Sequence, residues 1–192
     1  MTATFGPEAK AAVDAVIRAR RTSMVVDRDR PVEHDIVEEL CTLATWAPCH
    51  KRTWPWRFAT VSGGARVRLG EVIAEAMESH GDEPEKVAKA RTKYLRTPTV
   101  MIIGSVAGDS PTRTAENRDA TAVAVQNFML GATTRGLATY WGSCPRGAND
   151  PVAQFCGFPT DTTIVSLMYL GWAVSVPETP TRPAPQITVL DH

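Results

Sequence analysis

The stretch ENRDATAVAVQNFMLGATTRGLATYW, residues 116–141, decides how the rest of the chain is read. Ala120, Val123, Ala124, Asn127, Phe128 and Leu130 form one wide helical stripe, which predicts a buried helix over 116–135. It is the longest helix the chain predicts. Gly136 follows as the residue that ends it. Leu137 to Trp141 then reads as a short strand.

Outward from this unit, TVMIIGSV (99–106) is a continuous apolar run, the pattern of a strand covered on both faces. Trp56 to Val61 and Thr163 to Val174 read as further strands. A helix over 8–20 gathers Ala9, Ala12, Val13, Val16 and Ile17 on one face. A second, over 33–45, turns Ile36, Val37, Leu40, Cys41 and Ala44 inward. Further helices are expected over 65–78, 82–95 and 150–156. This order predicts an α+β chain: a three-layer sandwich with helices on both faces of a mixed central sheet. One domain is expected over 1–192. Its last part, 176–192, carries Pro177, Pro180, Pro183 and Pro185 before an apolar ITVL. Such a tail is extended, and it is too apolar to be left in water. It is expected to cross a partner subunit and add a strand there.

Among the 192 residues, Lys plus Arg and Asp plus Glu number 21 each. A zero net charge offers no global attraction to nucleic acid or to an anionic membrane. The four cysteines form no CxxC pair, which fits reduced thiols in the cytoplasm better than a disulfide framework or a zinc finger. The N-terminal sequence does not read as a signal peptide, and no apolar run is long enough to span a bilayer.

Three constellations carry chemistry. Arg20-Arg21-Thr22-Ser23 ends the first helix with two guanidinium groups and two hydroxyls. It suits a phosphomonoester, or simply caps the helix. WAPCHKRTWPWRF (46–58) offers His50, Lys51 and Arg52 as donors to a planar ligand, with one indole over its face and the other anchoring the loop. ATYWGSCPRG (138–147) opens a strand into a loop where Gly142 admits a ligand to the backbone and Ser143 adds a donor. Cys144 there is a nucleophile or a small buried hydrophobe. No second His or Cys stands at metal spacing from Cys49-His50, so no metal is expected. The dinucleotide GxGxxG, the P-loop, HExxH and GxSxG are all missing.

Taken together, the helix ending in Arg-Arg-Thr, the Ala-Pro loop leading to Pro-Trp-Arg-Phe, the long helix ending in Gly-Leu-Ala-Thr-Tyr-Trp and the late Tyr169-Leu170-Gly171 resemble the nitroreductase family of FMN-dependent oxidoreductases. The histidine in APCHK is most similar to the compact bacterial subgroup of that family. The resemblance implies a homodimer with an exchanged C-terminal tail and FMN at the interface. It implies FMN contacts from Arg20, Arg21, Thr22, Trp46, His50, Trp141, Gly142 and Ser143. NADH or NADPH would donate hydride, and a nitroaromatic, quinone or enone would accept it in a ping-pong cycle. No catalytic side chain is then required, because the flavin performs the chemistry. The alternatives are a non-enzymatic flavin-binding dimer, or another flavin chemistry within the family. Met24 stands where many members have Lys or Arg, which removes a cation from the flavin's pyrimidine edge.

Overall fold

Six α-helices and four β-strands occupy the described residues, 5–190, of the computed structural model. Their order is α1 (Pro7–Ala19), α2 (His34–Ala44), β1 (Trp56–Ser62), α3 (Ala65–Ser79), α4 (Pro84–Lys93), β2 (Thr99–Val106), α5 (Pro111–Thr134), β3 (Leu137–Gly142), α6 (Asn149–Phe155) and β4 (Thr162–Trp172). The predicted order holds throughout, and the architecture is α+β. The ends of the predicted domain, residues 1–4 and 191–192, lie outside the described residues.

The sheet runs β1-β2-β4-β3, so β3 is an edge. All three strand pairs are antiparallel. The parallel component expected of a mixed sheet is confined to one isolated bridge, Thr22 with Thr139. Strand alternation sends Met101 and Ile103 to one face and Val100 and Ile102 to the other. The first face packs on Leu40 and Ala44 of α2 and on Ala124, Phe128 and Ala132 of α5. The second packs on Leu69 and Ile73 of α3, Val87 of α4 and Val152 of α6. These are the three layers. A β-bulge interrupts the β2–β4 register, since Ile103 pairs with Ser166 while Gly104 pairs with Ile164.

Two expectations about burial are corrected. Helix α5 begins at Pro111, five residues before the predicted start at 116, because Ser110 caps it by accepting the Arg113 amide at 3.2 Å. Its buried side includes Asn117, Thr121, Val125 and Met129, whereas Val123 is 40% exposed and Asn127 and Leu130 are half-buried. Apolar and polar residues are mixed around the helix, with Val123 exposed and Asn117 and Thr121 buried, so periodicity alone could not choose the face. Helix α1 buries none of its residues, and Val13 and Ile17 are more than half exposed. Its apolar face lines an open cleft of about 430 Å³ with Leu43, Trp46 and Leu130.

Residues 177–190 form no helix or strand, and Ile187, Val189 and Leu190 are exposed. The strand-like ITVL thus has no partner strand among the described residues. No helix of the described residues is long and apolar enough to cross a membrane.

Candidate active site

After α1 the chain turns onto the β3 edge. Thr22 bridges Thr139, and the Ser23 amide donates to the Thr139 carbonyl at 3.0 Å. Further along, the Asp27 amide donates to the Trp172 carbonyl at 2.9 Å. The parallel register carries Met24 into one cleft with Gly142 and Ser143. The structure therefore brings Thr22 to Thr139 and Met24 to Gly142 and Ser143, pairs the sequence separates by more than a hundred positions, while Arg20 and Arg21 do not line this cleft. Trp141, next to Gly142 on β3, does not line the cleft, and its indole is committed to structure: Nε1 donates to the carbonyl of Val165, at the bulge, across 3.0 Å.

Arg21 is held tightly. Its Nη1 donates to the carbonyls of Arg18 and Arg20, and its Nη2 to Thr179 Oγ1 of the tail at 2.6 Å. Its Nε is buried without a partner. A buried donor left unpaired is costly, and no acceptor for this atom stands among the described residues.

Trp46 and His50 lie elsewhere. Trp46 is 80% exposed and lines the apolar cleft between α1 and α5. His50 is exposed and opens a short 3-10 turn, His50–Arg52. The backbone here is unusual: Lys51, Arg52 and Trp54 all have positive φ, at 59°, 54° and 48°. Non-glycine residues seldom adopt this conformation, and surrounding contacts must hold it. Three such contacts do. Thr53 Oγ1 donates to Asn117 Oδ1 at 2.6 Å, and Asn117 Nδ2 donates to the Val106 carbonyl at 3.0 Å. Arg57 Nη1 donates to the carbonyls of Trp54 and Trp56 at 3.2 and 2.9 Å. Trp56 is 8% exposed and anchors the loop, while Trp54 is 53% exposed, so one indole anchors and one stays open, as the sequence predicts.

The Nitroreductase family model matches residues 17–172. The chain belongs to the nitroreductase family. The chloronitrobenzene nitroreductase of Comamonas testosteroni is 28% identical over 204 residues, covering 84% of this chain and 86% of that protein. A nitroreductase-like family protein from Bacillus cereus superposes with a TM-score of 0.78 at 27% identity, over 96% of this chain and 94% of that one. A Bacteroides fragilis nitroreductase solved with bound FMN shares the fold, with a TM-score of 0.74 at 21% identity over 93% of this chain and 98% of that one.

In this nitroreductase, the Met24 cleft also contains two cations that sequence reasoning missed. Lys93 ends α4 and Arg96 follows one turn later; both line the cleft of about 220 Å³ with Met24, Tyr140, Ser143 and Tyr169. The signal available was a Lys and an Arg three residues apart at the entry to a buried strand, in a segment read only as polar helix. Burial lowers the Lys93 pKa. Cys144 lies near enough to interact with Lys93, but burial is the larger influence and pushes its thiol up to about 11. A thiol that stays protonated at neutral pH is a poor nucleophile, and Cys144 sits partly buried against the apolar core of the second face. Among the described residues, no group of three His, Cys, Asp or Glu is placed to hold a metal.

Proposed function

We propose that this chain is an FMN-dependent oxidoreductase that takes hydride from NADH or NADPH and passes it to a small acceptor of the nitroaromatic, quinone or enone class. The observation that carries this reading is the cleft at the end of β3, where Met24, on the strap that follows Arg20, Arg21 and Thr22, meets Lys93, Arg96 and Ser143. Arg21 Nε, buried without an acceptor, fits a phosphate oxygen. The two cations of the cleft fit the edge of a ring that becomes more negative on reduction, and they answer for the charge lacking at Met24. When bound, FMN supplies the hydride chemistry.

The chain's own residues then have distinct tasks. Arg20, Arg21 and Thr22 grip the phosphate and ribityl arm. Gly142 and Ser143 offer backbone and hydroxyl at the ring, and the Trp141 indole fixes the strand end that carries them. Trp46 and His50 are not joined to this group within one chain, so they belong to the half of the site that a second subunit completes. Three apolar surfaces favour a homodimer: the open face of α1, the outward side of α5 and the ITVL tail. A tail that crosses the partner would give ITVL a strand neighbour. Donor and acceptor would use one pocket in turn, which accounts for the missing dinucleotide fingerprint.

The test is the visible spectrum of the protein after FMN is added and excess removed by gel filtration. About one flavin per chain, eluting with a dimer, is expected, followed by steady NADH or NADPH oxidation with a quinone acceptor. Folded protein that retains no flavin would end the proposal. Retained flavin without such turnover would favour a flavin-binding dimer. His50→Ala isolates proton donation: unchanged turnover per bound flavin removes His50 from that role.

A further inference from the structure

Beside His50 lies a second cleft, of about 440 Å³, that the flavin reading does not use. Its walls include Lys51 and Trp54 from the strained loop, Arg57 from β1, Asp109, and Arg113 and Asn117 from α5. Lys51 and Arg57 enter no ion pair among the described residues, and Arg113 is paired with Glu116. Arg57 uses Nη1 to pin the loop, and no bond from its Nη2 is made among the described residues. Trp54, raised on a left-handed backbone, is 53% exposed, its ring tilted against Trp56 at a centroid distance of 5.7 Å. The loop conformation is costly, and buried Asn117 enforces it from below. The result is a site with an indole wall, unpaired cations, and one opposing carboxylate, Asp109.

We propose that this cleft receives the phosphorylated adenosine end of NADPH, with Lys51 and Arg57 on the 2′-phosphate and Trp54 against the adenine. The assignment rests on the flavin reading above. If His50 stands at the flavin, a donor whose nicotinamide reaches the ring must lay its other end to one side. This cleft begins at the next residue. An aromatic wall suits a purine, which offers a π-face to stack on. Arginine and lysine accommodate a 2′-phosphate, whereas an acidic residue reads the free 2′-hydroxyl of NADH. Here cations outnumber the single carboxylate, so the cleft selects the phosphorylated form.

The experiment titrates flavin-loaded, full-length protein with adenosine 2′,5′-bisphosphate and, separately, with 5′-AMP, by calorimetry. The bisphosphate is expected to bind about tenfold or more tighter than 5′-AMP, and to weaken as salt rises. Lys51→Asn removes the charge with a residue that tolerates positive φ. It should lose about tenfold in bisphosphate affinity and raise the KM for NADPH but not for NADH, with flavin content unchanged. Lys51→Arg should restore both. Trp54→Leu should weaken both nucleotides alike. Equal binding of the two nucleotides, or no effect of Lys51→Asn in an enzyme that still oxidises NADPH, overturns the assignment and leaves the flavin reading standing. Protein that retains no flavin overturns that reading, and the assignment with it.

Discussion

Thr22 lies in parallel register beside Thr139, with the Ser23 amide 3.0 Å from the Thr139 carbonyl. This short pairing lays the basic strap that follows α1 along the exposed edge of the sheet. In that register Arg20 and Arg21 precede the bridge, toward the start of β3, and Met24 follows it into the cleft at the strand's end.

That strand end is closely packed, and Gly142 shows it. A Cβ on Gly142 would stand 2.9 Å from the Leu167 carbonyl oxygen, which is backbone and cannot swing aside. Gly142→Ala should cost about 1–3 kcal/mol of stability and reduce flavin retention. Gly64→Ala is the control, since nothing lies within 4 Å of its Cβ and its φ is −64°. Urea denaturation of both variants measures the difference, and equal midpoints would dismiss the crowding argument.

Arg20 and Arg21 should separate in their effects. Either Arg→Ala change should weaken FMN by about 1.5–3 kcal/mol, the worth of a hydrogen bond to a charged group. Arg21 also holds Thr179. Arg21→Ala alone should therefore speed limited proteolysis of the tail after residue 176. Flavin titration and digestion, run together, report the two roles.

Lys93 is predicted to trade stability for function. Its pKa is lowered chiefly by burial, so its charged form is disfavoured in the folded protein. That penalty is present below the lowered pKa and fades as pH rises past it. Lys93→Met should leave the fold as stable or more so, while lowering the reduction potential of the bound flavin. Lys93→Arg should retain the potential. A spectroelectrochemical titration decides, and an unchanged potential in Lys93→Met removes that cation from the site.

Alkaline conditions should weaken the fold. Burial raises the thiol of Cys144 to about 11, that of Cys156 to about 12, and the phenol of Tyr169 to about 12. Below the ordinary thiol value of 9.0 these groups are neutral in both folded and unfolded chains. Above it the unfolded chain ionises first, so stability falls as pH climbs from about 9 toward 12. Denaturation midpoints across that range should decline, and Cys144→Ser should flatten the lower part of the curve.

The sequence by itself determined the order of elements, the α+β class and the family. Helical period over α2, the unbroken apolar run of β2 and the Gly136 stop are local signals, and local physics writes them. It also singled out the basic strap, the Ala-Pro loop and the β3 exit as candidate places for chemistry. Three matters were decided only by tertiary structure: which face of α5 is buried, where Lys93 and Arg96 point, and how the candidate residues divide into two groups. Strand order explains all three. The β1-β2-β4-β3 sheet leaves β3 at an edge, and only there can the strap bridge Thr139 and the end of α4 meet Met24. Those contacts join residues far apart in the chain. They come from closing the sheet and its two helical layers around one another, and no short window of sequence carries them.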